Sequence, residues 1–328
     1  MKAIHVDTFG GPEVLQVVEM PIPIPDEQEV VVQVAAIGTN FDDILDRTGE
    51  TERDRPYIPG FEAIGTIVAV GAHVSDRSLG ERVACLAPAA YAEHVVAPQD
   101  FVVPIPERLD DLQAVAAVRD GVLALLLTTQ AHALGADEVV LVRPGIEGPG
   151  LGLIQLAKQR GARVIAVIGT PEAEETVRRL GADAVHVWHP SEVATDVIAD
   201  MRRLTDGEGF HVVFEAMGNA SDERATEWEL DCLHPRGHLV LYDRAPYTVG
   251  FVNFDRLSGA SLTVTSVVAS DYLQEPGAFV SLADEVLNAV ATGALEFPVA
   301  GTFPLGEAGR AHHLVESCTA TGKIILLP

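Results

Sequence analysis

Lysine, cysteine and long apolar runs are scarce in this chain, and each scarcity excludes something. Only Lys2, Lys158 and Lys323 are lysines, so arginine carries nearly all of the positive charge. The 22 Lys and Arg residues face 48 Asp and Glu residues, for a formal net charge of −26. A phosphate backbone would be repelled by that surface, which argues against nucleic acid as a partner. There are three cysteines, Cys85, Cys232 and Cys318, far apart and odd in number. That excludes a four-cysteine structural zinc site and fits a reducing, cytoplasmic setting. No uninterrupted apolar run reaches the roughly 18 residues of a membrane span. The opening MKAIHVDTFGG has no basic stretch leading into an apolar one, so the reading is neither a secreted nor a membrane protein. His132, His234, His238, His312 and His313 show no metal-ligand spacing and read as surface or supporting residues; Asp42 and Asp46 read as solvated.

What is present is a large apolar fraction, 48% over 328 residues, enough for more than one core. The first hundred residues alternate apolar and polar positions with glycine and proline breaks, as in EVLQVVEMPIPIP, PGFEAIGTIVAVGAHV and AYAEHVVAP. That pattern predicts short antiparallel strands. The rhythm changes near residue 110. An apolar helical segment at 110–134 precedes VVLV, a glycine-rich turn, the helical LGLIQLAKQRG, the strand ARVIAVIG and the helical PEAEETVRRLGA. The short strand AVHVW, a helix at 191–205 and the strands HVVFEAMG and GHLVLYD follow. Strands alternating with helices predict a doubly wound parallel sheet. Residues 258–328 return to mixed strands and a helix.

Several stretches in order carry a family likeness: the N-terminal MKAIHVDTFGGPEVLQVVEMPIP, then AAIGTNFDDILDRTG, IPGFEAIGTIVAVGAHV, GERVACL, AAYAEHVV and finally TATGKIILLP. Together the chain resembles the zinc-free quinone oxidoreductases (zeta-crystallin-like) and enoyl reductases of the medium-chain dehydrogenase/reductase superfamily. The resemblance implies an α/β fold with a GroES-like β-rich substrate domain from both chain ends, 1–118 and 258–328, and an inserted Rossmann domain at 119–257. It also implies a small-molecule substrate, NADPH as cofactor, a cleft at the junction of the domains and a homodimer. Zinc-dependent relatives need cysteine and histidine ligands. Here the early cysteine place, in GTNFDD, holds no cysteine, and the histidine place is Phe61. No zinc is therefore expected.

The resemblance also assigns residues. Gly145, Gly148 and Gly150, in VLVRPGIEGPGLGLIQLAK, correspond to the turn that receives a dinucleotide diphosphate; Gly169, Thr170, Gly218, Tyr242 and Asp243 complete the expected cofactor contacts. Departures from the family pattern accompany them. Glu147 takes the place of the first motif glycine, and a carboxylate about 4 Å from a phosphate would cost about 4 kcal/mol at an effective dielectric near 20. The alternative is a rearranged loop with Glu147 turned into solvent. Ala173 stands where NADPH-dependent relatives place a lysine, Trp188 where a tyrosine assists it, and Leu123 where a hydroxyl is usual. Asn40 and Asp43 match the polar pair that orients a carbonyl and relays a proton, and Tyr57 is a third catalytic candidate; turn capping and a helix N-terminal charge are the alternatives for the pair. The implied activity is reduction of a quinone or an α,β-unsaturated carbonyl, with polyketide-type specialised metabolism as a setting. The alternative is a non-redox cyclase, dehydratase or isomerase on the same scaffold with weakened NADPH binding.

Overall fold

The structure is a computed structural model that describes residues 1–146, 148–189, 191–216, 227–243 and 254–328. In chain order the elements are β1 (Lys2–His5), β2 (Gln16–Glu19), β3 (Glu29–Gly38), α1 (Phe41–Thr48), β4 (Glu62–Val70), β5 (Arg82–Leu86), β6 (His94–Pro98), β7 (Val102–Pro104) and α2 (Asp111–Leu126). Then come β8 (Val139–Arg143), α3 (Gly148–Gln159), β9 (Arg163–Ile168), α4 (Glu174–Arg179), β10 (Ala184–Val187), α5 (Ala194–Leu204), β11 (Phe210–Ala216), α6 (Glu227–Asp231), β12 (Leu233–Tyr242), α7 (Phe254–Ala260) and β13 (Thr263–Ser266). The chain closes with α8 (Ala269–Tyr272), α9 (Ala278–Thr292), β14 (Val299–Pro304), α10 (Ala308–Glu316) and β15 (Lys323–Leu327).

Two units result, one from Met1–Val122 with Tyr272–Pro328, the other from Leu123–Asp271. The first is built on a seven-stranded sheet of order β14-β15-β3-β4-β5-β7, with β6 also paired to β3. Strand β3 reads EVVVQVAAIG and is buried along most of its length, so it runs at the centre, antiparallel to β4, β6 and β15. The run of β-branched residues suits a strand covered on both faces. A core of Ile4, Val32, Ile37, Ile67, Tyr91, Leu305 and Leu326, among others, gathers residues from both ends of the chain. The short helix α1 leaves β3 and stops at Gly49, whose φ of 86° is a left-handed cap that costs glycine little.

The second unit is a parallel sheet of order β10-β9-β8-β11-β12-β13. From β8 the chain moves outward through β9 to β10, then returns to the other side of β8 for β11, β12 and β13. The order reverses between β8 and β11, the topological switch point of a doubly wound sheet. One face of this sheet packs Leu141, Ile165, Val213 and Leu239 against Val197, Met201 and Trp228.

The expected domain limits shift. Residues 258–271 do not return to the first unit: β13 pairs with β12 in parallel and extends the second sheet, so the passage back comes at Tyr272. At the other limit, α2 carries the chain four residues past 118 before the units part, at Val122. The stretch Asp111–Ala131 is the one described helical segment long and apolar enough to cross a membrane; its charges lie at Asp111, Arg119 and Asp120. It is 78% buried, as a core helix is.

Candidate functional site

In the first unit, Asn40 precedes α1 in extended backbone and sits in the middle of a buried ionic cluster. Its amide oxygen accepts from Lys323 Nζ at 2.7 Å and from Arg119 at 3.1 Å, and its amide nitrogen donates to Glu62 Oε1 at 3.0 Å. Lys323 Nζ also lies 2.5 Å from Glu62 Oε1 and 3.1 Å from Asp120 Oδ2. Arg119 reaches Asp42 at 2.6 Å and Asp120 at 3.3 Å. Gly38 makes the space: a Cβ there would lie 2.2 Å from Glu62 Oε1 and 2.7 Å from Lys323 Cε. Burial alone would lower the Lys323 pKa, but Asp120 and Glu62 outweigh it and hold the ammonium charged. The Asn40 side chain thus serves this cluster while also opening α1 in a capping box with Asp43.

The other half of the capping box comes from Asp43. The backbone N–H of Asn40 donates to Asp43 Oδ2 at 2.9 Å, and the Tyr91 hydroxyl stands 3.0 Å from the same oxygen. Tyr91 is in turn 3.0 Å from His312 Nε2. Asp43 is 3% exposed. Burial, chiefly, pushes its carboxyl up to about 7, with Asp42 adding to the rise and Asn40, Tyr91 and Arg119 opposing it. Tyr57 is half-buried; its hydroxyl is enclosed without a hydrogen-bond partner among the described residues, and burial raises its pKa to about 12.

One expectation fails in this region and another is narrowed. His312, read as a surface or supporting residue, is the supporting one: it is fully buried on α10 against Tyr91, where burial, with Arg47, drives its pKa down to about 3 and keeps the ring neutral. Asp46 was expected in solvent and is buried, paired with Arg53 at 2.6 Å. The partner of His312, Tyr91, comes from 221 positions away, so its burial could not be read from local periodicity.

The titration of Asp43 gives a signed expectation. A carboxyl whose folded pKa lies above its unfolded value stabilises the fold fully below the unfolded value and loses that contribution as pH rises through about 7. Urea unfolding at pH 5 and pH 8 is expected to show a smaller loss of stability for Asp43→Asn than for the native chain, the difference being on the order of a few kcal/mol. Parallel behaviour of the two proteins would show that Asp43 is ionised throughout.

In the second unit, β8 ends at Arg143 and α3 begins at Gly148. Gly150 in the first turn of α3 is packed so tightly that a Cβ would lie 2.1 Å from the carbonyl oxygen of Pro144. A Cβ on Gly145 would lie 3.0 Å from Ala166. The turn thus brings bare backbone and the N-terminus of a 12-residue helix to the carboxyl end of β8, the arrangement that receives a phosphate. At the end of β9, a Cβ on Gly169 would meet nothing within 4 Å, and the Thr170 hydroxyl donates to Glu172. Ala173 is buried, 1% exposed, whereas Glu172, Glu174 and Glu175 follow the strand with at least two of their side chains in solvent. Tyr242 is buried at the end of β12, and Asp243 follows it with a φ of 49°. Leu123 is buried on α2. Glu147 and Gly218 lie outside the described residues.

Sequence reasoning missed Glu62, Arg119 and Lys323. One signal was there: a single lysine opening an otherwise apolar run, GKIILL, in a chain with three lysines. A charge that begins a buried strand needs a partner. Nothing local said that the partner would be Glu62, 261 positions earlier by the two residue numbers.

Comparisons with known proteins agree with this architecture. Residues 26–107 match the family described as alcohol dehydrogenase GroES-like domain, and residues 148–285 the family described as zinc-binding dehydrogenase. The chain is 33% identical to a quinone oxidoreductase of Pseudomonas aeruginosa over all of its length and 99% of that protein. It is 31% identical to a 2-haloacrylate reductase of a Burkholderia species, with 100% and 99% covered. Among solved structures, a mycobacterial protein complexed with NADPH superposes with a TM-score of 0.93 at 33% identity, each chain covered completely. The zinc named in the second family description does not fit this site. Asn40 is engaged by Glu62 and two cations, Phe61 carries no donor, and no group of three or more His, Cys, Asp or Glu suited to a metal occurs among the described residues. With its GroES-like unit, parallel second sheet and full-length relatives, the chain belongs to the zinc-free quinone oxidoreductase branch of the medium-chain dehydrogenase/reductase family and is an oxidoreductase of that type.

Proposed function

We propose that the protein is an NAD(P)H-dependent reductase of a small quinone or α,β-unsaturated carbonyl compound. The observation that carries the reading is the close approach of Gly150 to Pro144, which sets the N-terminus of α3 tightly at the carboxyl end of β8, where a diphosphate is received. Gly145 and Gly150 would hold that diphosphate, with Thr170 and Glu172 at the ribose end. The bound nicotinamide supplies the hydride, and the protein supplies position and a proton. Asn40 has both amide oxygen lone pairs engaged by Lys323 and Arg119 and one N–H by Glu62, which leaves one N–H to orient a substrate carbonyl. Asp43, with its carboxyl at about 7, is half in its acid form near neutrality and can donate the proton that completes the reduction.

The ribose end favours NADH over NADPH. A carboxylate about twenty residues after the glycine turn suits a ribose diol, and Glu172 stands 22 positions after Gly150. A 2′-phosphate would meet that carboxylate, with buried Ala173 beside it and no cation from that position. Thermal unfolding with increasing NADH is therefore expected to show a rising Tm, and NADPH at equal concentration a smaller rise. Consumption of NADH with 1,4-benzoquinone then tests turnover. No stabilisation by either nucleotide at millimolar concentration would overturn the reading and favour the non-redox alternative.

A further inference from the structure

At the carboxyl ends of β8 and β11 the second unit holds a half-buried arginine between two glutamates and two tryptophans. Arg143 and Glu215 stand side by side in register on the two strands that flank the switch point. The guanidinium lies 2.5 Å from Glu229 Oε1 and 3.3 Å from Glu215 Oε1. It also lies 5.3 Å from the ring centre of Trp228 and 5.7 Å from that of Trp188. Glu229 and Glu215 are 0% and 5% exposed. The second oxygen of each is buried with no hydrogen-bond partner among the described residues.

The charges do not balance. One guanidinium faces two enclosed carboxylates. Burial pushes both carboxyl groups up, against the pull of Arg143, and brings Glu229 to about 7. The other titratable group acting on this cluster is Cys232, whose thiol is raised to about 12 by burial and by Glu229 and is therefore neutral. Arg202 and Asp231 act on Cys232 with opposite signs. Arg143 is thus a cation placed, among the described residues, where open α/β sheets receive an anionic nucleotide, and it is held there by partners that compete for protons.

We propose that Arg143 exchanges partners on cofactor binding: it leaves Glu215 and Glu229 for the diphosphate of a bound nicotinamide adenine dinucleotide, and the glutamate pair takes up a proton from solvent in its place. This rests on the nucleotide-binding reading above. Two carboxylates within reach of one nitrogen cannot both stay ionised in a buried site once the cation has gone. Nucleotide binding and proton uptake are then linked, so affinity falls as pH rises above neutrality.

The molecule carries its own reporter. Its two tryptophans are Trp188 and Trp228, both against Arg143. ADP-ribose, which does not absorb tryptophan emission, is expected to change that emission as it binds. Calorimetric titration with NADH at pH 8 in phosphate and in Tris, buffers of different ionisation enthalpy, is expected to give different heats corresponding to uptake of about half to one proton per site. In Glu229→Gln the buffer dependence is expected to fall at least by half. Arg143→Met is expected to bind NADH about tenfold more weakly, as loss of a charge-assisted contact does. If NADH binds the native protein with equal heats in the two buffers and ADP-ribose leaves the emission unchanged, Arg143 keeps its glutamates: the exchange is overturned and the cofactor reading survives. If neither nucleotide binds, both fall. The native-protein measurements decide the matter even where a variant fails to fold.

Discussion

Lys323→Met is expected to destabilise the protein by about 3–5 kcal/mol at pH 7, the usual effect of removing one partner from a buried ion pair. The Lys323 ammonium is held by Glu62, Asp120 and Asn40, and its side chain is 4% exposed. Methionine fills a similar volume, so the loss comes from the charges left behind. Glu62 would retain only the neutral Asn40 amide, and Asp120 would keep Arg119 at 3.3 Å. The sign with pH follows from the same geometry. A lysine whose pKa is raised on folding contributes its full stabilisation below its unfolded value, far above neutrality, so the native pair is intact at pH 7. Denaturant unfolding at pH 7 measures the loss. A loss below 1 kcal/mol at pH 7 would mean that the cluster relaxes into solvent and that Lys323 does not organise Asn40.

Gly150→Val is expected to have the second large effect, and on two observables together. Its first side-chain atom would lie 2.1 Å from the Pro144 carbonyl oxygen and 3.3 Å from Gly145 Cα. Both are backbone atoms, so no side chain can swing aside. Either the start of α3 moves off the end of β8 or the turn distorts, at a cost of about 1–3 kcal/mol. The same movement withdraws the helix N-terminus from the diphosphate, and NADH affinity should fall at least about tenfold, as loss of a charge-assisted contact does. Gly169→Ala is the matched comparison, since a Cβ there meets nothing within 4 Å. It should keep native stability. Equal stability for the two variants would show that the close approach is not a constraint.

How far these residues could be anticipated differs from one to the next. The second sheet was legible in VVLV, ARVIAVIG and GHLVLYD, because apolar strands separated by helical periods are local patterns. The glycines of the β8–α3 turn were legible for the same reason: bare backbone at a strand-to-helix turn is a property of a few adjacent residues. The return to the first unit was misplaced because α7 and β13 are short and half-exposed, and their membership in the second sheet depends on β12 offering a free edge. Asp46 reads as a solvated residue in sequence and is buried beside Arg53, while His312, read as a surface or supporting residue, is buried behind Tyr91 from 221 positions away.

By itself, the sequence determined the order of strands and helices and the tight turn before α3, which depend on residue type and on spacings of a few positions. The replacement of zinc ligands at Phe61 and near Asn40 was what the family resemblance implied. Tertiary structure decided which charges meet. Lys323 reaches Asn40 across 283 positions and Arg143 reaches Glu229 across 86. The glycine turn that opened the case for a nucleotide site was legible early; the arginine and glutamates beside it were not. A buried charge is set by what lies opposite it, and that neighbour comes from the packing of distant segments, strands and helices alike.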